Sequence, residues 1–192
     1  MSQTKQGNLI RQSPLTSQEV EVIQGCLLGD GTLSKSGKNY RLRVEHKSSH
    51  WEYVEWKFAL LRRICMNEPN YVPTHASLRF GSIGHPEITE MRRQWYRPYK
   101  QIPSGLVLTP LMLAVWFMDD GTKHRDTVDV SVQSFSRENL QSLRDQLLTM
   151  GVQTTINSDS KGNRLYFIKS SYPVFKKLVK PYIVECMAYK LP

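Results

Sequence analysis

The chain states one local pattern twice, ninety residues apart. Residues 23–31 read IQGCLLGDG and residues 113–121 read LAVWFMDDG, each an apolar run closed by Asp-Gly and followed by Thr, at Thr32 and Thr122. The echo continues downstream. Tyr99-Lys100 and Tyr189-Lys190 each place a lysine seventy residues after Asp30 and Asp120, and Pro103 and Pro192 follow close behind. A single Asp-Gly step is ordinary turn chemistry. Two Asp…Lys pairs in one register describe a duplicated unit with a carboxylate and a lysine in each half.

The elements around the motifs repeat as well. Thr16-Ser17-Gln18-Glu19 is a capping-box pattern that starts a helix near Ser17 and carries it to about Asp30, with Gly31 as its stop. The second copy uses Thr109 as cap and Pro110 at the first helical position, and ends at Gly121. A hairpin follows each Asp-Gly. Tyr40, Leu42 and Val44 alternate with Arg41, Arg43 and Glu45, and Val128, Val130 and Val132 with Asp129, Ser131 and Gln133. Period two assigns the first set in each half to the core and the second to the outer face. Helices are expected over 49–66 and 136–150, second hairpins over 72–80 and 153–168 (the latter turning at Lys161-Gly162-Asn163), and closing helices after Pro86 and Pro173. Each half therefore reads αββαββα, an α+β class chain. The expected divisions are a polar, frayed tail over 1–14, a first subdomain over 15–103, a linker over 104–108 and a second subdomain over 109–192.

Charge narrows the function. Lys and Arg number 26 against 17 Asp and Glu, leaving +9 spread along the chain, which suits a long polyanion. Three cysteines without a CxxC pair argue for a reducing, intracellular setting and against a disulfide framework or zinc ribbon. The most apolar window, Gly105 to Met118, is too short to span a membrane and is broken by Thr109-Pro110. Five histidines show no zinc-ligand spacing. Trp51, Trp56 and Trp95 sit among apolar neighbours and are expected in the core rather than stacked on bases.

The two motifs, the repeat and the downstream lysines resemble the LAGLIDADG homing endonucleases, in the form where one chain carries both motifs. The resemblance spans about residues 15 to 192, and the second motif is similar to the branch found in organellar and bacterial introns. It implies two antiparallel four-stranded sheets forming a saddle over DNA, around a central interface of the two motif helices. It implies a monomer that cuts both strands of a long asymmetric DNA target, in an organelle (chloroplast or mitochondrion) or a bacterial cytoplasm. The alternative within the same fold is an intron RNA maturase, with intron RNA as the partner.

The chemistry at the motifs has its own reason. A carboxylate at a helix C-terminus faces the negative end of the dipole, at a cost of about 0.3–1 kcal/mol in exposed cases. Two such ends side by side call for a cation between them, and Mg²⁺ (or another divalent ion such as Mn²⁺) prefers such oxygen ligands and takes others from phosphate. Asp30 and Asp120 are the expected ligands, with the backbone of Gly29 and Asp119 as further candidates. Gly25 and Gly29, four apart, suit close helix approach; Val115 and Asp119 stand in their places in the second copy. The resemblance implies that Lys100 and Lys190 act through the solvent network at the scissile phosphates. Glu45 or His46 (one residue of register separates them) and Gln133 are candidates beside them. DNA reading is expected from the outer strand faces and hairpins, at Lys35, Lys38, Arg41, Arg43, Arg79, Lys123, Arg125, Ser131, Gln133, Lys161 and Arg164.

Overall fold

The computed structural model describes residues 5–159 and 162–192; Lys161, expected at a hairpin turn, lies outside them. The chain divides into two compact units, Met1–Gln94 and Trp95–Pro192. In the first, after a helix α1 (Lys5–Gln12), the order is α2 (Ser17–Leu28), β1 (Thr32–Ser36), β2 (Asn39–Lys47), α3 (Trp51–Leu61), β3 (Asn70–Val72), β4 (Ser77–Gly81) and α4 (Pro86–Trp95), whose last residue counts with the second unit. The second contains α5 (Pro110–Asp120), β5 (Gly121–Lys123), β6 (Val128–Ser131), α6 (Arg137–Thr149), β7 (Thr154–Asp159), β8 (Gly162–Phe167) and α7 (Tyr172–Val179). The strand orders are β1-β2-β4-β3 and β5-β6-β8-β7, every pair antiparallel. The αββαββα repeat is thus present in topology as well as in sequence.

Local chemistry sets these elements. Thr16 Oγ1 accepts from the Glu19 amide at 3.2 Å while Glu19 returns a bond to the Thr16 amide at 2.8 Å, the capping box expected for α2. Thr109 and Ser136 cap α5 and α6 through the Met112 and Asn139 amides. Leu42, Val44, Val128, Val130 and Val132 are buried on the inner sheet faces. Around them Phe58 and Phe80 pack edge-to-face at 5.6 Å in one unit, and Phe175 meets Phe117 and Phe167 at 5.1 and 4.7 Å in the other.

Three expectations need correction. Residues 5–12 are a helix rather than a frayed tail, because Ile10 is buried and Arg11 Nε donates to the Gly84 carbonyl at 3.2 Å. Trp51 is 55% exposed, whereas Trp95 is fully buried and Trp56 stacks on Tyr53 at 6.0 Å. Asp129 lies on the outer sheet face yet is only 4% exposed, because Arg164 and His124 close over its carboxylate. The segment 104–108 is held to α6, with the Leu108 amide donating to Gln146 Oε1 at 2.6 Å and the nearby Ile102 amide to Asn139 Oδ1 at 3.1 Å.

Both Asp-Gly glycines are required by close approach. A Cβ at Gly31 would lie 2.6 Å from Cys26 Cβ and 2.8 Å from the Cys26 carbonyl oxygen. At Gly121 it would collide with the Phe117 ring and carbonyl. Gly121→Ala should therefore lower unfolding stability by at least about 1–3 kcal/mol, the usual cost of forcing a methyl into filled space. Urea denaturation measures this, and an unchanged midpoint would show that the turn can open without penalty.

Candidate nuclease site

The two motif helices end differently. α2 stops at Leu28 with Gly29 as its C-terminal cap, so Asp30 stands beyond the helix and is exposed. The Gly31 amide then reaches back to the Cys26 carbonyl at 2.7 Å. In α5 the position matching Gly29 is Asp119, the helix continues to Asp120, and Gly121 becomes the cap. The stop expected at Gly31 therefore falls two residues early, since a glycine inside the last turn ends the first helix sooner. Asp119 and Asp120 are half-buried.

Lys190 lies beside this second helix end. Its Nζ donates to the Met118 carbonyl at 2.6 Å and to the Asp119 carbonyl at 2.9 Å. An ammonium there satisfies acceptors that the helix leaves over and offsets the negative end of its dipole. The Asp119 carbonyl, a candidate to face a metal, is thus engaged by a cation; ligation by this residue would fall to its side chain. Lys100 is half-buried, with its Nζ 5.4 Å from the centre of the Phe135 ring.

Glu45 and His46 separate by strand parity. Glu45, on the outer face of β2, accepts from Ser77 Oγ at 2.6 Å and pairs with His75 Nδ1 at 3.0 Å, with Arg79 Nη1 3.9 Å away. The Ser77 hydroxyl first, and the His75 ring second, hold its carboxyl below the ordinary carboxylate range. His46 turns inward, and one of its ring nitrogens lies within 4.8 Å of an Asp30 carboxylate oxygen. The structure therefore brings His46 beside Asp30, while Glu45 faces the outer side of the sheet. Gln133 is exposed and its side chain covers Gly162, where a Cβ would meet Gln133 Cγ at 2.8 Å.

On the outer strand faces, Arg41 and Arg43 alternate with the core residues of β2 and Arg79 stands opposite Glu45. Lys35, expected on the outer face, is opposite Tyr40 and so has the parity of the inner face, where it is exposed near the hairpin end. Lys123 and Arg125 are exposed near the β5–β6 turn, and Ser131 is paired with Arg164 across β6 and β8. Arg164 is immobilised by Asp129 and by Thr122 Oγ1 at 2.8 Å. A cavity of about 670 Å³ in the first unit gathers Arg11, Lys38 and Arg41 with the backbone of Gly37, Gly81 and Gly84. Among the described residues none of these three cations has a carboxylate partner. The sequence reading missed Arg11, whose signal was the Leu9-Ile10-Arg11 step in a segment otherwise too polar to be read as a helix. It also missed Lys57, a lysine on the apolar face of α3.

Comparison with known proteins agrees with this geometry. The chain is 27% identical over 210 residues to the DNA endonuclease I-ChuI of Chlamydomonas applanata, covering 92% of this chain and 95% of that protein. It is 28% identical over 196 residues to the cytochrome b mRNA maturase bI2 of Debaryomyces hansenii, covering 93% and 75%. The fold matches that of the homing endonuclease I-WcaI, solved bound to its DNA recognition sequence, with a TM-score of 0.85 at 22% identity over 99% of this chain and 93% of that one. Residues 20–175 match the LAGLIDADG DNA endonuclease family, with both motifs inside the matched span. The chain belongs to the LAGLIDADG DNA endonuclease family.

Proposed function

We propose that this protein is a site-specific endonuclease that hydrolyses both strands of a long, asymmetric duplex target, acting as a monomer. The observation that carries the reading is the carboxylate kept at the Asp-Gly step of both halves, each followed by a glycine that the local fold demands. Asp30 and Asp120 are the residues that would hold a divalent cation. The donors are hard carboxylate oxygens, one exposed and one half-buried, a set that fits Mg²⁺ or Mn²⁺ better than a soft-ligand ion. Such an ion, when bound, polarises the phosphoryl oxygen and activates water for attack. Around it the chain contributes its own electrostatics: Lys190 steadies the negative end of α5, and Lys100 is assigned the matching task at the other phosphate. The basic outer strands hold the duplex through phosphate contacts and leave base edges to Arg41, Arg43 and Gln133.

Incubating the protein with a randomised duplex library and Mg²⁺, then sequencing the cut ends, tests the assignment. One recurrent long site without perfect palindromy is expected, and no cleavage with either Mg²⁺ or Mn²⁺ would overturn it. The maturase relative supports a second reading, in which intron RNA is bound and its splicing assisted. Accelerated splicing of a host intron by a protein that leaves every duplex intact would favour it.

The basic cavity gives a separate expectation. Replacing Arg11 with Ala should lower the slope of log affinity against log salt by about 0.9, the release from one phosphate contact. Fluorescence anisotropy across a salt series measures it, and an unchanged slope would place Arg11 away from the nucleic acid.

A further inference from the structure

Lys57 is fully buried, and among the described residues it is the one lysine that is. It lies on the inner stripe of α3 with Tyr53, Val54, Phe58 and Leu61, a place that Leu or Met would fill without desolvating a charge. Tyr53 and Lys57 are four residues apart, so they share one helix face, and that face meets β2. There the Lys57 Nζ lies 3.1 Å from His46 Nε2 and 4.3 Å from the centre of the Tyr53 ring. The His46 and Tyr53 rings are themselves 5.0 Å apart. His46 in turn reaches within 4.8 Å of the Asp30 carboxylate.

We propose that Lys57 is a positioning residue that fixes the tautomer and orientation of His46 beside Asp30. In this arrangement the Lys57 nitrogen donates and the Nε2 lone pair accepts. The ring proton then resides on Nδ1. Tyr53 closes one side of the ring and restricts its rotation. His46 so held presents an N–H to a water or phosphate oxygen next to Asp30. Groups that orient a residue at a reacting centre commonly govern rate about 10–100-fold without touching the substrate. The proposal rests on the endonuclease reading for its effect on rate, but not for the Lys57–His46 bond.

The test uses the full chain labelled with ¹⁵N-histidine, the His46 signal being assigned through His46→Gln. Long-range ¹H–¹⁵N correlation at neutral pH should show His46 as the Nδ1–H tautomer, and Lys57→Met should move it toward Nε2–H. Lys57→Gln, which restores an N–H donor without the charge, should return it. Single-turnover cleavage at saturating protein should slow about 10–100-fold in Lys57→Met and recover in part in Lys57→Gln. DNA affinity should stay within about tenfold, since phosphate contacts elsewhere carry it. A merely structural lysine would leave the tautomer unmoved. Should Lys57→Met not fold, the wild-type tautomer and Lys57→Gln decide. An Nε2–H tautomer in the wild type, or a wild-type rate in Lys57→Met, would overturn the proposal. A wild-type protein that cuts no DNA would sink the nuclease reading, leaving the tautomer to judge the bond by itself.

Discussion

Asp30→Asn and Asp120→Asn should each remove double-strand cleavage while leaving DNA affinity within about tenfold, because most binding energy resides in distributed phosphate contacts. Asparagine keeps the size and the hydrogen-bonding reach of the side chain, so the loss isolates the anionic oxygen. The effect follows from ligand chemistry: Mg²⁺ binds through one or two carboxylates and accepts a neutral amide poorly in their place. Binding is read by anisotropy and cutting by the products of a single turnover. Full cutting by the double variant would exclude this site. Cutting restored by Mn²⁺ in one single variant would still be consistent with it, since that ion tolerates weaker oxygen donors.

Lys190→Met carries the second large effect. If the ammonium offsets charge that builds up during phosphoryl transfer, its loss should slow cleavage on the order of 10²–10³-fold, as removal of one electrostatic stabiliser does where water is excluded. The structure adds a consequence that separates two ways of losing activity. Lys190 also bonds the Met118 and Asp119 carbonyls, so the variant should lose roughly 0.5–2 kcal/mol of stability. Lys190→Arg keeps a cation and donors for those carbonyls and should recover stability more fully than rate. Equal recovery of both would mean that the lysine works through the helix end alone. An unchanged rate in Lys190→Met would return it to a purely structural place.

Much of this was legible in the sequence, for identifiable reasons. The repeat, the caps at Thr16 and Thr109, and the alternation in β2 and β6 depend on neighbours a few residues apart. Local rules read such features directly. What escaped depended on distant partners. Asp129 has the right parity for the outer face, but its burial comes from Arg164, thirty-five residues on, and from His124. Lys57 looked like any helix lysine until β2 supplied His46. The helix over 5–12 has only Leu9 and Ile10 as strong apolar residues, of which Ile10 alone is buried, and its register is set by Gly84, seventy-three residues from Arg11. Glu45 and His46 differ by a single residue of strand register, and pairing with β4 fixes only which face of the sheet each one takes.

The unequal ends of α2 and α5 bear on how such a chain changes over evolutionary time. In a symmetric homodimer every substitution is made twice, so both copies of an element must accept the same residue. Fusing the copies into one gene lifts that constraint. A glycine can shorten one helix while its counterpart becomes an aspartate that lengthens the other, each judged by natural selection in its own surroundings. What stays common to both halves here is the strand order, the Asp-Gly-Thr step and the downstream Tyr-Lys; much of the rest differs. A lineage that later needs only one of its two carboxylates can therefore lose the other without rebuilding the scaffold, and the same fold passes from cutting nucleic acid to merely holding it by a single base change.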